Sequence, residues 1–158
     1  MGNVPTLWSR GRAVDRAERA QQGTGVILAT ILQEGCEADS TLADRTTMAD
    51  VLLVSANKEA AWTGGTPFQR KAWSGASIVI NPQPANDRVD LDLTSDPTWL
   101  VAGAWNTQQR MAKLGLCYAT SASAPTSAIW PLIWLDWQTT ALGNDLVYAL
   151  DAAGFYRT

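Results

Sequence analysis

Apolar positions along the chain fall into short β-like runs, separated by Gly, Pro, Ser and Asn. Val26-Ile27-Leu28-Ala29-Thr30-Ile31-Leu32 is continuous, partly β-branched and bounded by Gly25 and Gly35, which predicts a buried strand. Arg88 to Leu93 alternates, with apolar 89, 91 and 93 opposite polar 88, 90 and 92, the pattern of a half-buried strand. Phe68 to Trp73 and Ala76 to Ile80 are parted by Ser74-Gly75, which predicts a tight hairpin, with 81–87 as a loop. Thr63-Gly64-Gly65-Thr66-Pro67 reads as a turn. Asp96-Pro97 breaks the β pattern before Trp99-Leu100-Val101. Met111 to Tyr118 places Leu114, Leu116 and Tyr118 on one face. After a small-residue loop at 121–127, the segment 129–137 is apolar at both parities. Trp130, Leu132 and Trp134 are even; Ile133, Leu135 and Trp137 are odd. Gly143-Asn144 marks a turn and Leu146 to Leu150 the last strong strand.

Two segments depart from this pattern. Arg12 to Gln22 is rich in Ala, Arg, Glu and Gln and stops at Gly23, which predicts a helix. Its apolar residues are small, so it needs a partner surface. Thr46 or Thr47 is a cap for a helix over Met48 to Ser55, with Asp50 at its positive end. Residues 1–9 read as an extended arm containing Pro5. The expected fold is mainly β, an antiparallel β-sandwich or barrel with a short N-terminal helix and one further short helix. The expected organisation is an arm and basic helix at 1–24 and a single β-rich domain at 25–158.

A length of 158 residues suits one domain. The 46% hydrophobic content is ordinary, but 17% charged is low. Histidine is absent, which excludes Ser-His-Asp and Cys-His mechanisms and imidazole zinc sites. The two cysteines cannot supply a four-thiolate metal site. A net charge of −3 gives no footprint for nucleic acid. No apolar run approaches the roughly 20 residues of a membrane span. The amino terminus lacks the apolar core of a signal peptide; Gly2 with Thr6 fits a loose myristoylation pattern, beside the plain reading of an unmodified start. Gly23-Thr24-Gly25 and Gly64-Gly65 lack the continuation of a phosphate loop. Cys36, between Glu34 and Glu37, and Cys117, in an apolar run, are expected as free thiols. The acids should raise the Cys36 pKa and make it a poor nucleophile.

Asp87, Asp90, Asp92 and Asp96 form the densest acidic cluster. Asp90 and Asp92 share a strand face, which suits a solvated or charged edge, a hard cation or acid–base chemistry. Eight tryptophans are several times the usual share. They can fill a β core, anchor a subunit interface or form a sugar platform. A strand apolar on both faces must be covered on both, one by the opposite sheet and the other by a helix or a neighbouring subunit. Arg10, Arg12, Arg16 and Arg19 make the amino-terminal stretch basic. They form either a solvated face paired with Asp15 and Glu18 or an arm that docks on an acidic neighbour.

The downstream order carries a resemblance. Gln69-Arg70-Lys71 precedes Ile78-Val79-Ile80 and Asn86-Asp87-Arg88-Val89-Asp90; Asp96-Pro97-Thr98-Trp99 and Ala102-Gly103 follow. After the Leu114 to Tyr118 run, Pro131-Leu132 opens an aromatic-acidic strand, and the chain ends on Asp151-Ala152-Ala153-Gly154-Phe155-Tyr156-Arg157. Over residues 44–158 this resembles small virion structural proteins of tailed bacteriophages. The resemblance implies a non-enzymatic β domain, head-associated as a decoration or minor capsid protein, or else a tail or fibre component. It implies no cofactor and no catalytic residue. Its partners would be other copies of the chain and other virion proteins, with neither nucleic acid nor membrane. The expected interface residues are Trp8, Arg12, Arg16 and Arg19 near the amino terminus, Trp130, Trp134 and Trp137 in the aromatic strand, and Phe155 and Tyr156 at the end. A carbohydrate-binding β-sandwich module and an acid–base enzyme using Asp90 and Asp92 remain as alternatives.

Overall fold

The computed structural model describes residues 4–5, 12–60, 69–86, 88–99, 110–140, 146–150 and 156–157, which hold ten strands, three α-helices and three 3-10 turns. At 4, 5, 86, 88, 140, 146, 156 and 157 the description covers the backbone alone. The strands are β1 (Val4–Pro5), β2 (Val26–Gln33), β3 (Lys71–Trp73), β4 (Ile78–Gln83), β5 (Arg88–Leu93), β6 (Thr98–Trp99), β7 (Arg110–Ala119), β8 (Ile129–Thr140), β9 (Leu146–Val147) and β10 (Tyr156–Arg157). The helices are α1 (Ala13–Gln21), α2 (Asp39–Ala43) and α3 (Met48–Leu52). The fold is mainly β and its pairings are antiparallel, as the sequence pattern predicts. The helix α2 is an addition to that expectation. No helix among the described residues is long and apolar enough to cross a membrane.

A five-stranded sheet in the order β1-β8-β7-β2-β3 forms the centre. Its members β2 and β7 are long and almost wholly buried, as is β8 over 131–135, because both faces are covered there. On one face Ile27, Ala29, Ile31, Leu114, Leu116 and Tyr118 join Ile78, Leu91 and Leu93 of a second sheet, β10-β5-β4. On the other, Leu28, Leu32, Cys117 and Trp134 lie beneath Leu42, Met48 and Val51 of α2 and α3. The second cover of β8 is therefore this chain's own helices. A short ribbon pairs β6 with β9.

The expected hairpin around Ser74-Gly75 does not form. β3 pairs with β2, Trp73 opposite Ile27, while β4 pairs with β5, Ile78 opposite Leu93. Gly75, at φ 58°, opens a 3-10 turn over Gly75–Ser77 that carries the chain from one sheet to the other. The segment expected as a loop continues β4 to Gln83, and the tight connection falls between β4 and β5. The last expected strand shrinks to Leu146–Val147. The expected turns at 63–67 and 143–144 lie outside the described residues.

Helix α1 shows why its apolar residues are small. Ala13, Ala17 and Ala20 form an i, i+4, i+7 stripe with no solvent exposure, packed on β2 and β4. Gln21 Nε2 donates to the Ile78 carbonyl at 2.9 Å. Gly23, at φ 79°, ends the helix, with its N–H on Ala20 O and that of Thr24 on Arg19 O. The expected boundary at residue 24 thus separates two elements that share one core.

The parity expected in β8 also changes. Leu116 pairs with Ile133 and Cys117 with Pro131, so Leu132 is an extra residue in a β-bulge. One inserted residue exchanges the faces: Trp130 joins Ile133 and Leu135, and Trp134 points the other way.

Thr47 caps α3 through a reciprocal box: its Oγ1 accepts from Asp50 N at 3.2 Å, and Asp50 Oδ2 accepts from Thr47 N at 2.9 Å. Thr47→Ala is expected to cost about 1 kcal/mol, read as a lower urea midpoint at unchanged slope.

Candidate functional site

The expected interface residues separate into three environments. Trp134 has no solvent exposure and lies in the core beneath α2 and α3, so its assignment to an interface is corrected. Gly115 opposite it makes room for the indole. Trp8 and Phe155 lie outside the described residues, and Tyr156 is placed only as a backbone pair with Leu91. Trp130 and Trp137 are half-buried and pack against the first core from its margin.

Trp130 stacks on Tyr118 at 5.9 Å between centroids, and the Arg16 guanidinium lies over both rings, 4.9 Å from Tyr118 and 5.7 Å from Trp130. Arg16 therefore ties α1 to β7 and β8 by cation–π contact. Arg19 pairs with Asp15 at 3.2 Å on the exposed side, an i, i+4 pair of small energetic weight. Arg12 is exposed. The basic stretch is thus partly committed within the fold.

Trp137 lies 5.9 Å from Trp99 and meets Tyr148 edge-on at 5.4 Å. Trp99 is buried, with Nε1 donating to Gln69 O at 2.9 Å. Trp137, Tyr148 and Leu150 are half-buried at the margin of the first core, and Val147 of β9 is 51% exposed. Tyr148 and Leu150 carried no single signal in the sequence; the fold brings them to Trp137.

A groove of about 430 Å³ lies between the entry to α2 and the ends of β7 and β8. Lys113 forms ion pairs there with Asp39 of α2 and Asp136 of β8. Burial opposes its charge, but the hydrogen bonds to Asp136 and Asp39 outweigh that and raise its pKa above the usual 10.5. Cys36 also lines the groove. Burial is the main cause that raises its thiol pKa; Lys113 opposes this, and Asp39 and Glu37 add the least. The acids foreseen as the cause are minor. Both groups hold their protons at neutral pH, so neither is an activated nucleophile. Cys117 is buried and its pKa raised; both cysteines are free.

Asp90 and Asp92 do not form an open carboxylate pair. Asp90 is buried, and Asp92 Oδ1 accepts from Leu93 N at 2.7 Å. Asp96 Oδ1 instead accepts from Leu150 N at 2.9 Å.

Glu37 gives the fold an acid-sensitive point. Its hydrogen bond from Arg45 is the largest influence, assisted by Asn57 against burial, and holds the carboxyl below the usual 4.5. A depressed carboxyl contributes stability above its unfolded pKa and loses it as pH falls through the folded value. Thermal midpoints are expected to be flat from about pH 5 to 8, since histidine is absent. They should fall below about pH 4.5, and Glu37→Gln should shrink that acid limb.

Comparison with protein-family models, with curated proteins and with solved structures found no match.

Proposed function

We propose that the protein is a non-enzymatic structural component of a tailed-phage particle, associated with the capsid and joined to neighbouring subunits through aromatic surface. The resemblance of residues 44–158 motivates the particle. The observation that carries the contact role is the half-buried Trp137, Tyr148 and Leu150 at the margin of the first core, with Val147 of the same ribbon 51% exposed. Half-exposed aromatics backed by a rigid sheet are the usual anchors of interfaces. The ionic groups of the groove support the same reading, because Lys113 holds its proton between two carboxylates and the Cys36 thiol is not activated.

A sugar platform needs coplanar exposed rings. Trp99 and Trp137 are tilted by 32° with Trp99 buried, and Trp137 and Tyr148 meet at 88°. That geometry does not favour the sugar-binding alternative.

Light scattering and co-sedimentation with isolated heads and isolated tails test the proposal. Self-association or sedimentation with heads is expected. Sedimentation with tails alone would move the component to the tail. A monomer that binds neither would overturn the reading. Val147→Asp should weaken association about tenfold or more, the cost of roughly 1.4 kcal/mol, with little change in stability.

A further inference from the structure

We infer that residues 34–58, which carry α2 and α3, form a lid that opens from the five-stranded sheet as a unit while the two sheets stay packed, with the Asp39–Lys113 ion pair as its latch.

The two faces of the sheet are covered unequally. The first face meets a whole second sheet and α1, and its core includes Trp73 and Trp99. The lid places Leu42, Met48 and Val51 in the second core. Its helices have five residues each, too short to persist away from the sheet. A layer with few buried apolar contacts lies at the low end of local stability.

The lid is braced within itself. Arg45 pairs with Glu37; Asn57 Nδ2 donates to Val51 O at 2.9 Å, and Asn57 Oδ1 accepts from Glu37 N at 2.8 Å. These contacts join its beginning, middle and end, so it moves as one piece. Its two ends meet at one line, where Gln33 N donates to Lys58 O at 2.8 Å and Leu32 bridges Glu59. Adjacent ends make a hinge. The exposed Arg110–Glu34 pair lies at that hinge. Away from it, among the described residues, Asp39 to Lys113 is the one side-chain ion pair or hydrogen bond between lid and sheet. Lys113 stays paired with Asp136 on the sheet when the latch parts.

Opening would uncover Leu28, Leu32, Trp134 and the Cys117 thiol, all without exposure when the lid is closed. This inference stands apart from the particle reading. Cys117 supplies the readout. In a Cys36→Ser background, its reaction with a small aromatic disulfide is followed across a urea series, and global unfolding is followed by circular dichroism. At low urea, Cys117 is expected to react at least about tenfold faster than global unfolding allows, with weak urea dependence, and the two should converge at high urea. Asp39→Ala should raise the low-urea rate about tenfold. Labelling that tracks global unfolding at every urea concentration would overturn the lid, and this series decides it even should Asp39→Ala not fold. An unchanged low-urea rate in folded Asp39→Ala would overturn the latch.

Discussion

Gly115→Ala is expected to destabilise the protein by about 3 kcal/mol, although alanine in place of a strand glycine ordinarily helps by about 0.5–1 kcal/mol. A Cβ at position 115 would lie 2.8 Å from Cε3 and 2.9 Å from Cη2 of Trp134, inside van der Waals contact. The ring can retreat only by lifting α2 and α3, since Trp134 is fully buried among Leu28, Leu42, Met48 and Val51. The steric cost therefore outweighs the backbone gain. Urea denaturation measures the loss, and a second substitution tests its cause. Trp134→Leu alone should cost about 3 kcal/mol or somewhat less, by loss of packing. In the Gly115→Ala background it should cost much less, because the smaller side chain relieves the clash. Strictly additive costs would refute the steric account.

Lys113→Met is expected to cost about 2–3 kcal/mol. Removing one member of a buried ion cluster leaves the others uncompensated, which costs about 3–5 kcal/mol when all are buried. Asp39 and Asp136 keep 27% and 25% of their side-chain surface, so solvent screens part of that. Adding Asp39→Asn and Asp136→Asn should restore more than half of the loss. Failure to recover would mean that lost packing of the lysine stem, not charge, dominates. The alkaline limb gives a second check. A lysine with a raised folded pKa contributes stability that is complete below its unfolded value and lost as pH rises through the folded one. Stability should therefore decline above pH 10.5, and that contribution should be absent in Lys113→Met.

The main strands and two helix ends were legible because their signals are local. The apolar run Val26 to Leu32, the alternation at 88–93, the cap at Thr47 and the stop at Gly23 each act within a few residues. The alanine stripe of α1 likewise announced a helix that needs a close partner. The failed hairpin at Ser74-Gly75 shows the limit: two β-like runs beside a turn residue say nothing about which strand each will pair with. The bulge at Leu132 shows another, since one extra residue reverses the face of every tryptophan on one side of it.

The candidate sites were less legible for the same reason. Arg16, Trp130 and Trp137 were singled out as types that make contacts, and the fold places all three at the margin of the first core. Trp134 carried the same signal and became core, because Gly115 and the helical lid enclose it. Asp39, Lys113 and Asp136 are far apart in the chain and individually ordinary, so only closure of α2 onto β7 and β8 makes them a cluster.

By itself, the sequence determined a β-rich chain, rich in tryptophan and without imidazole chemistry, since composition and short-range periodicity act without reference to distant residues. Strand partners, the faces of the tryptophans, the second cover over the sheet and the lysine bridge were decided only by tertiary structure. Each depends on register and burial between segments whose separation leaves no local trace.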